Sequence, residues 1–219
     1  MSSDESSALA DSKLADRKLE AEISKLTVER DLIALEYGVK KRLTERELAS
    51  GPENQVYRFF GTVGEMSVEA CITVTDNWAS RFPGKGITIV FNTPGGGIID
   101  GLGLFDHLRH LDQNGTPITT VALGYAASMG AVLLQAGSTR VVSPNAFLMI
   151  HEASYGTAGK TSDMEDDVTL MKRMQEKLLT ILAERSTLTV RQIKAKWARK
   201  DWWIDAEAAV ELGFADAIR

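Results

Sequence analysis

The chain has 219 residues, 44% hydrophobic and 25% charged, with a formal net charge of −5. That composition suits a globular domain with an appendage and is long enough to bury a sizeable core. It lacks the clustered basic face that a nucleic-acid partner requires. A single cysteine excludes a disulfide framework and a cysteine zinc cluster.

The N-terminal stretch MSSDESSALADSK is acidic and has no apolar core, which is not the pattern of a signal peptide. Apolar runs break well before the roughly 18 residues of a membrane span. A cytoplasmic protein without membrane or nucleic-acid partners is the expectation.

Residues 1–50 are expected to form a charged helical extension, and residues 51–219 the main domain. From Asp11 to Glu47 there are nine Lys/Arg and nine Asp/Glu, no Pro and one Gly. Leu19, Ile23, Leu26, Ile33 and Tyr37 follow alternating steps of four and three if Arg30 fills the missing position, a seam of about three heptads. The segment reads as a long amphipathic helix, docked on its own domain or a neighbour, or pairing as a coiled coil. Ser50 to Asn54 is a breaker cluster and a linker signal.

Beyond it, strands alternate with helices. Val56–Val63 reads as a strand and Val68–Phe82 as a helix. Gly86–Phe91 is a continuously apolar strand, expected to be buried on both faces. Ile98–Leu111 reads as a helix, Ile118–Leu123 as a strand and Ala127–Ala136 as a small-residue helix. Short strands follow at Thr139–Val142 and Phe147–Ile150, then helices at about Ser162–Arg185 and Val190–Ala198. Asp205 and Gly213 read as the N-cap and C′ stop of a last helix. The alternation predicts an α/β fold with a mostly parallel sheet and crossover helices.

Three segments could carry chemistry. Asn92-Thr93-Pro94-Gly95-Gly96-Gly97 lies between a strand and a helix, and its glycines leave N–H groups free and allow close approach of another chain. It fits neither a P-loop nor a dinucleotide fingerprint, leaving a tight turn or an anion- or peptide-binding nest. Gly124 to Gly130 places Ser128 at a helix N-terminus among small residues. There it is either an N-cap or an exposed nucleophile aided by the helix dipole. His151 ends an apolar strand and is either a satisfied core histidine or a general base. His107 and His110, three apart on a helix without a third ligand, read as a solvated face and not a metal site. Together Ser128, His151 and the glycine-rich N–H groups fit a serine hydrolase. Spacing alone leaves the orienting acid open among Asp163, Asp166, Asp167, Asp201, Asp205 and Asp216.

The motifs NTPGG (Asn92–Gly96), AASMG (Ala126–Gly130), Pro144–Asn145, MIH (Met149–His151) and DAEAAVELGFAD (Asp205–Asp216) occur in an order that resembles the ClpP family, the proteolytic subunits of Clp proteases. The resemblance runs from about Tyr57 to Ile218. It implies a ClpP/crotonase-like fold and peptide-bond hydrolysis without a cofactor. It implies Ser128 as nucleophile, His151 as base and Asp201 as the acid, with Gly96 and Met129 N–H groups as the oxyanion hole. It also implies that Gly95, Gly97 and Ile98 on one side, and Glu152 after His151 on the other, clamp the polypeptide as an added strand.

The family forms stacked heptameric rings around a chamber. Ser162–Arg185 matches its ring–ring helix, and Gly156, Ala158 and Gly159 match the flexible strand leading into that helix. This chain departs in three places, one of them an extended stretch around Asn114-Gly115-Thr116 that reads as a longer surface loop. A helical extension replaces the short axial loop that meets a AAA+ unfoldase, and Lys200 stands where the family commonly has arginine. The extension suits a phage or prophage relative that matures capsid precursors, its helix contacting an unfoldase or a capsid or scaffold protein. General protein degradation is the other setting, and a silent or partner-activated structural ring the other class of function. An acyl-CoA enzyme of the same fold would leave Ser128, His151 and Asp201 without a shared purpose. A serine–lysine peptidase would leave His151 idle.

Overall fold

The structure is a computed structural model that describes residues 18–35, 37, 38, 41, 53–154, 160–198 and 200–219. The chain divides into two compact units, Met1–Arg46 and Glu47–Arg219. The expected contributions of Gly156, Ala158 and Gly159, and most of the linker signal, lie outside the described residues.

In the first unit, residues 18–35 form a helix, α1. Leu19, Ile23, Leu26 and Ile33 lie along one stripe, each more than half exposed. Val28, Leu32 and Leu35, also exposed, lie on the opposite side of the helix and form a second, shorter apolar stripe. Arg30, in the predicted seam, turns aside to Asp31 at 2.7 Å, a solvated pair worth little.

The second unit begins with β1 (Val56–Phe60), α2 (Glu65–Arg81), β2 (Ile87–Thr93), α3 (Ile98–Gln113), β3 (Ile118–Ala127) and α4 (Met129–Leu134). Strands β4 (Thr139–Val142) and β5 (Phe147–Ile150) precede α5 (Thr161–Glu184), α6 (Val190–Trp197), β6 (Trp202–Ile204), α7 (Ala206–Glu211) and β7 (Ala217–Ile218). The main path of the sheet is β1-β2-β3-β4-β7, all parallel, and β5 pairs β3 on one side and β6 on the other. Only β6 runs antiparallel to its neighbour. The α/β architecture is therefore the one the alternating pattern predicts.

Strand β3 is the pivot. Its ten residues outrun the predicted strand, pairing β4 through Thr119–Ala122 and then β5 through Tyr125–Ala127. On its other edge the ladder to β2 skips: Phe91 faces Ala122, but Thr93 faces Ala126. Two residues of β2 thus span four of β3, and the slack falls at Leu123 to Tyr125. Strand β2 is less enclosed than its unbroken apolar run suggests. Ile87, Ile89, Phe91 and Thr93 are buried, whereas Thr88, Val90 and Asn92 are half-buried.

The core is built on Trp78, Phe91, Leu104, Leu133 and Phe214, all fully buried. Asp205 caps α7 by accepting from Ala208 N–H at 2.9 Å, and Gly213 follows that helix at φ 77°, as a C′ glycine does. Thr189 and Gln192 form a reciprocal capping box at the start of α6. Strands β6 and β7 escape the sequence pattern because runs of three and two residues are too short to show a period.

Two charged clusters hold elements together. Buried Arg140 donates to Gln135 Oε1 at 2.8 Å, to Gly213 O at 2.7 Å and to both carboxylate oxygens of Asp216. This fixes the C-terminal strand against β4. Burial opposes ionisation of Asp216, but the hydrogen bonds and charge of Arg140 outweigh it and hold the carboxyl below its usual range. His107 departs from the expected solvated face, because its ring is packed between α3 and α2 with Nε2 2.9 Å from Thr75 Oγ1. Burial lowers its pKa against the opposing pull of Asp76, while His110 is exposed.

Candidate active site

Ser128 occupies the joint between β3 and α4 with φ 55° and ψ −120°. Among the described residues it is the one non-glycine with positive φ, a conformation that costs on the order of 1–3 kcal/mol and persists only where neighbours impose it. Here they do: Ser128 N–H donates to Met149 O at 2.7 Å, and Ser128 O accepts from Ala131 N–H at 3.0 Å. This sharp turn explains why α4 begins at Met129 and not at Ala127. It turns the hydroxyl out of the sheet in the manner of a nucleophile elbow.

Sheet register then brings the partners in. Ala127 pairs with Met149 in the parallel β3–β5 ladder, which sets His151 beside Ser128, with Nε2 2.8 Å from Oγ. Ile150 pairs with Trp202 in the antiparallel β5–β6 ladder, which sets Asp201 opposite His151. Asp201 Oδ1 lies 3.5 Å from Nδ1, an ion-pair separation longer than a short hydrogen bond. The His151 side chain is 26% exposed and that of Asp201 57%. An imidazole with its Nδ1 proton toward a carboxylate presents the Nε2 lone pair to the serine O–H.

The other five aspartates have different surroundings. Asp205 is a helix cap and Asp216 is held by Arg140. Asp163, Asp166 and Asp167 belong to α5, where Asp163 accepts from Ser162 Oγ.

The glycine loop after β2 closes over Ser128. A Cβ on Gly95 would stand 2.7 Å from Ser128 Cβ and 2.9 Å from Met129 N, and one on Gly96, at φ 150°, would stand 2.1 Å from Val63 O. Only residues without side chains bring this backbone so near the hydroxyl. Thr93 Oγ1 accepts from Gly95 N–H at 3.0 Å. Val63 N–H donates to Gly95 O, and Gly97 N–H to Val63 O, each at 2.8 Å. These bonds engage the N–H groups of Gly95 and Gly97 within the chain, so neither glycine has a donor left for a bound peptide. Gly96 N–H lies between them and outside that set. Met129 N–H is a first-turn donor of α4, beyond the reach of any helical carbonyl. Glu152 is exposed just past His151.

A cleft of about 70 Å³ opens beside Ser128 and His151, lined by Ile98, Met129, Leu178 and Trp197. Gln175 also lines it, and its Oε1 accepts from Ala153 N–H at 3.2 Å, tying the segment after His151 to α5. Leu178, Gln175 and Trp197 were not anticipated from the sequence. They reach the site from helices about 50 to 70 residues beyond Ser128, and their spacing there is that of ordinary core positions. Among the described residues no cluster of metal-ligating side chains occurs, and no helix is long and apolar enough to cross a membrane.

A family model described as Clp protease matches residues 76–219. The chain is similar to the ATP-dependent Clp protease proteolytic subunit of Porphyromonas gingivalis, with 36% identity over 141 residues, covering 64% of this chain and 62% of the relative. It is also similar to ATP-dependent Clp protease proteolytic subunit 2 of Tropheryma whipplei, with 38% identity over 139 residues, covering 63% and 75%. Subunit 1 of Leifsonia xyli subsp. xyli is 36% identical over 137 residues, covering 62% of this chain and 68% of the relative. The chain thus spans between about three fifths and three quarters of the lengths of these relatives. The family match begins within α2, so α1 and β1 precede it.

Proposed function

The chain belongs to the Clp protease family, and from that premise we propose that it is a serine endopeptidase acting on polypeptides by acyl transfer. The observation that carries the reading is the 2.8 Å contact between Ser128 Oγ and His151 Nε2 on a strained strand-to-helix turn, with Asp201 facing Nδ1.

In this reading His151 removes the Ser128 proton as Oγ attacks the peptide carbonyl. The tetrahedral oxyanion accepts from Gly96 and Met129 N–H, and His151 returns the proton to the departing amine. Water, deprotonated by His151, then releases the acyl group. Asp201 remains ionised and holds the ring tautomer. Each oxyanion donor contributes on the order of 10²–10³ in rate. The substrate lies as an added strand between the 96–98 segment and the backbone after His151, near Glu152. Since the N–H groups of Gly95 and Gly97 are engaged, its backbone is held by Gly96 and Ile98.

The enzyme works as a stacked-ring homo-oligomer, with α5 in the ring–ring contact and the N-terminal extension meeting an unfoldase or a capsid or scaffold protein. The names of the relatives include ATP dependence. One observation favours a second reading, in which the ring is partner-activated: Asp201 is more than half exposed and stands 3.5 Å from the imidazole, so assembly would have to draw the pair together.

Native mass spectrometry and cleavage of a short fluorogenic peptide without ATP, on wild type and Ser128→Ala, test both readings. A particle of about fourteen subunits whose cleavage vanishes in Ser128→Ala supports the protease. A large particle inactive in both forms, gaining Ser128-dependent cleavage when an unfoldase is added, supports activation by a partner. No Ser128-dependent cleavage under any condition overturns the enzymatic reading.

A further inference from the structure

We propose that Trp197 sets the depth of the acyl-side pocket and restricts the enzyme to peptides that present a short, uncharged side chain at the attacked carbonyl. The proposal rests on the acyl-transfer reading above and specifies the substrate class of that site.

The cleft beside Ser128 is small, at about 70 Å³, less than half the roughly 150 Å³ of an apolar cavity that binds benzene. An alanine or valine side chain fits such a space, and an aromatic ring does not. The size is imposed by packed groups. Met129 is 2% exposed, Trp197 5% and Leu178 9%, and all three belong to elements anchored elsewhere. Met129 opens the wholly buried helix α4. Leu178 sits on α5 next to the fully buried Leu179. Trp197 closes α6, whose start is fixed by the Thr189–Gln192 capping box and whose body is fixed by fully buried Ile193. A substrate side chain therefore cannot push the indole aside without disturbing the core.

The chemistry of the lining completes the argument. Apart from His151, no described side chain facing the cleft is ionisable. A lysine, arginine or glutamate side chain of the substrate would enter without a counter-charge, and burying an unpaired charge is strongly unfavourable. Besides Ser128 itself, Gln175 and Ser154 are the neutral polar side chains of the cleft. Gln175 has already committed its Oε1 to Ala153 N–H.

The test is a series of fluorogenic peptides identical except for the residue that supplies the attacked carbonyl: Ala, Val, Phe, Lys or Glu. They are assayed on wild type, Ser128→Ala, Trp197→Ala and Trp197→Leu, all as full-length chain. The wild type is expected to cleave Ala and Val peptides at least ~10-fold better in kcat/KM than Phe, Lys or Glu peptides. In the Trp197 variants the Phe:Ala ratio rises at least ~10-fold, while Lys and Glu remain poor. The ratio is read within one preparation, so a loss of folded enzyme lowers both rates and leaves it unchanged. Should neither variant fold, the wild-type ranking still decides. Phe or Lys cleaved as well as Ala by wild type, or an unchanged ratio in an active Trp197 variant, overturns the proposal and leaves the acyl-transfer reading intact. Wild-type cleavage that persists in Ser128→Ala, or is absent both with and without an added unfoldase, overturns the acyl-transfer reading and this proposal with it.

Discussion

At the scale of single residues, the proposed mechanism places most of its chemistry on the strained turn at Ser128 and the ring of His151. Ser128→Ala and His151→Ala are each expected to lower kcat to the level set by binding and the oxyanion donors, while Asp201→Asn lowers kcat by about 10²–10⁴ with KM little changed. Steady-state kinetics on an assembled preparation check this. A fall below about tenfold for Asp201→Asn removes Asp201 from the orienting role. Gly96→Ala is expected to lower kcat by about 10²–10³, because its Cβ would collide with Val63 O and displace the loop and its N–H. An active Gly96→Ala enzyme would place the oxyanion elsewhere. Ser128 and His151 were legible in the sequence from their local settings, a small-residue turn and a strand end. The six aspartates were indistinguishable there, because what separates them is a cross-strand neighbour, and Asp201 was favoured only through family resemblance.

At the scale of elements, α5 and α6 reach the site from outside the sheet. Gln175 on α5 holds the Ala153 N–H, and with it the strand on which a substrate would lie. Gln175→Met removes that acceptor at nearly constant volume and is expected to raise KM several-fold with kcat within about twofold. Gln175→Glu, which keeps an acceptor, restores most of the loss. Equal losses in both variants would make Gln175 a packing residue only. The long helices were legible because a period of 3.6 accumulates over four or more turns. Strand β6 was not, although it positions Asp201, since three residues carry no period and its identity depends on β5 lying alongside.

For the whole molecule, the Arg140–Asp216 cluster joins the C-terminal strand to the middle of the sheet and links stability to pH. The Asp216 carboxyl is held below its usual range in the fold, so as pH falls below about 4 the unfolded chain takes up the proton first. The contribution of the pair is therefore complete at neutral pH and is lost as acid titrates the folded carboxylate. Asp216→Asn is expected to lower Tm at pH 7 and to flatten the fall in Tm between about pH 4 and pH 2. Scanning calorimetry across that range would show parallel curves if the pair contributed nothing. The α/β class was legible from alternation alone, because each buried strand and its crossover helix leave a local signature. The seven-stranded order was not, since β5 and β7 join the sheet through pairings that sequence proximity does not suggest.

The skip in the β2–β3 ladder has a consequence for how the chain can drift in length. Thr93 meets Ala126 only because β3 holds two residues more than β2 over the same rise, and both the glycine loop and Ser128 are counted from that meeting point. The chain carries a ruler here, calibrated in whole residues. Loss of Gly124 would slide Ser128 out of step with Gly96 and His151 at once, however well the core survived. The exposed turn at Asn114 and Gly115 lies upstream of the calibrated stretch, and a residue added there should leave peptide cleavage within about threefold of wild type. Related chains should therefore vary in length at that turn and keep fixed counts from Phe91 to Gly97 and from Ala122 to His151.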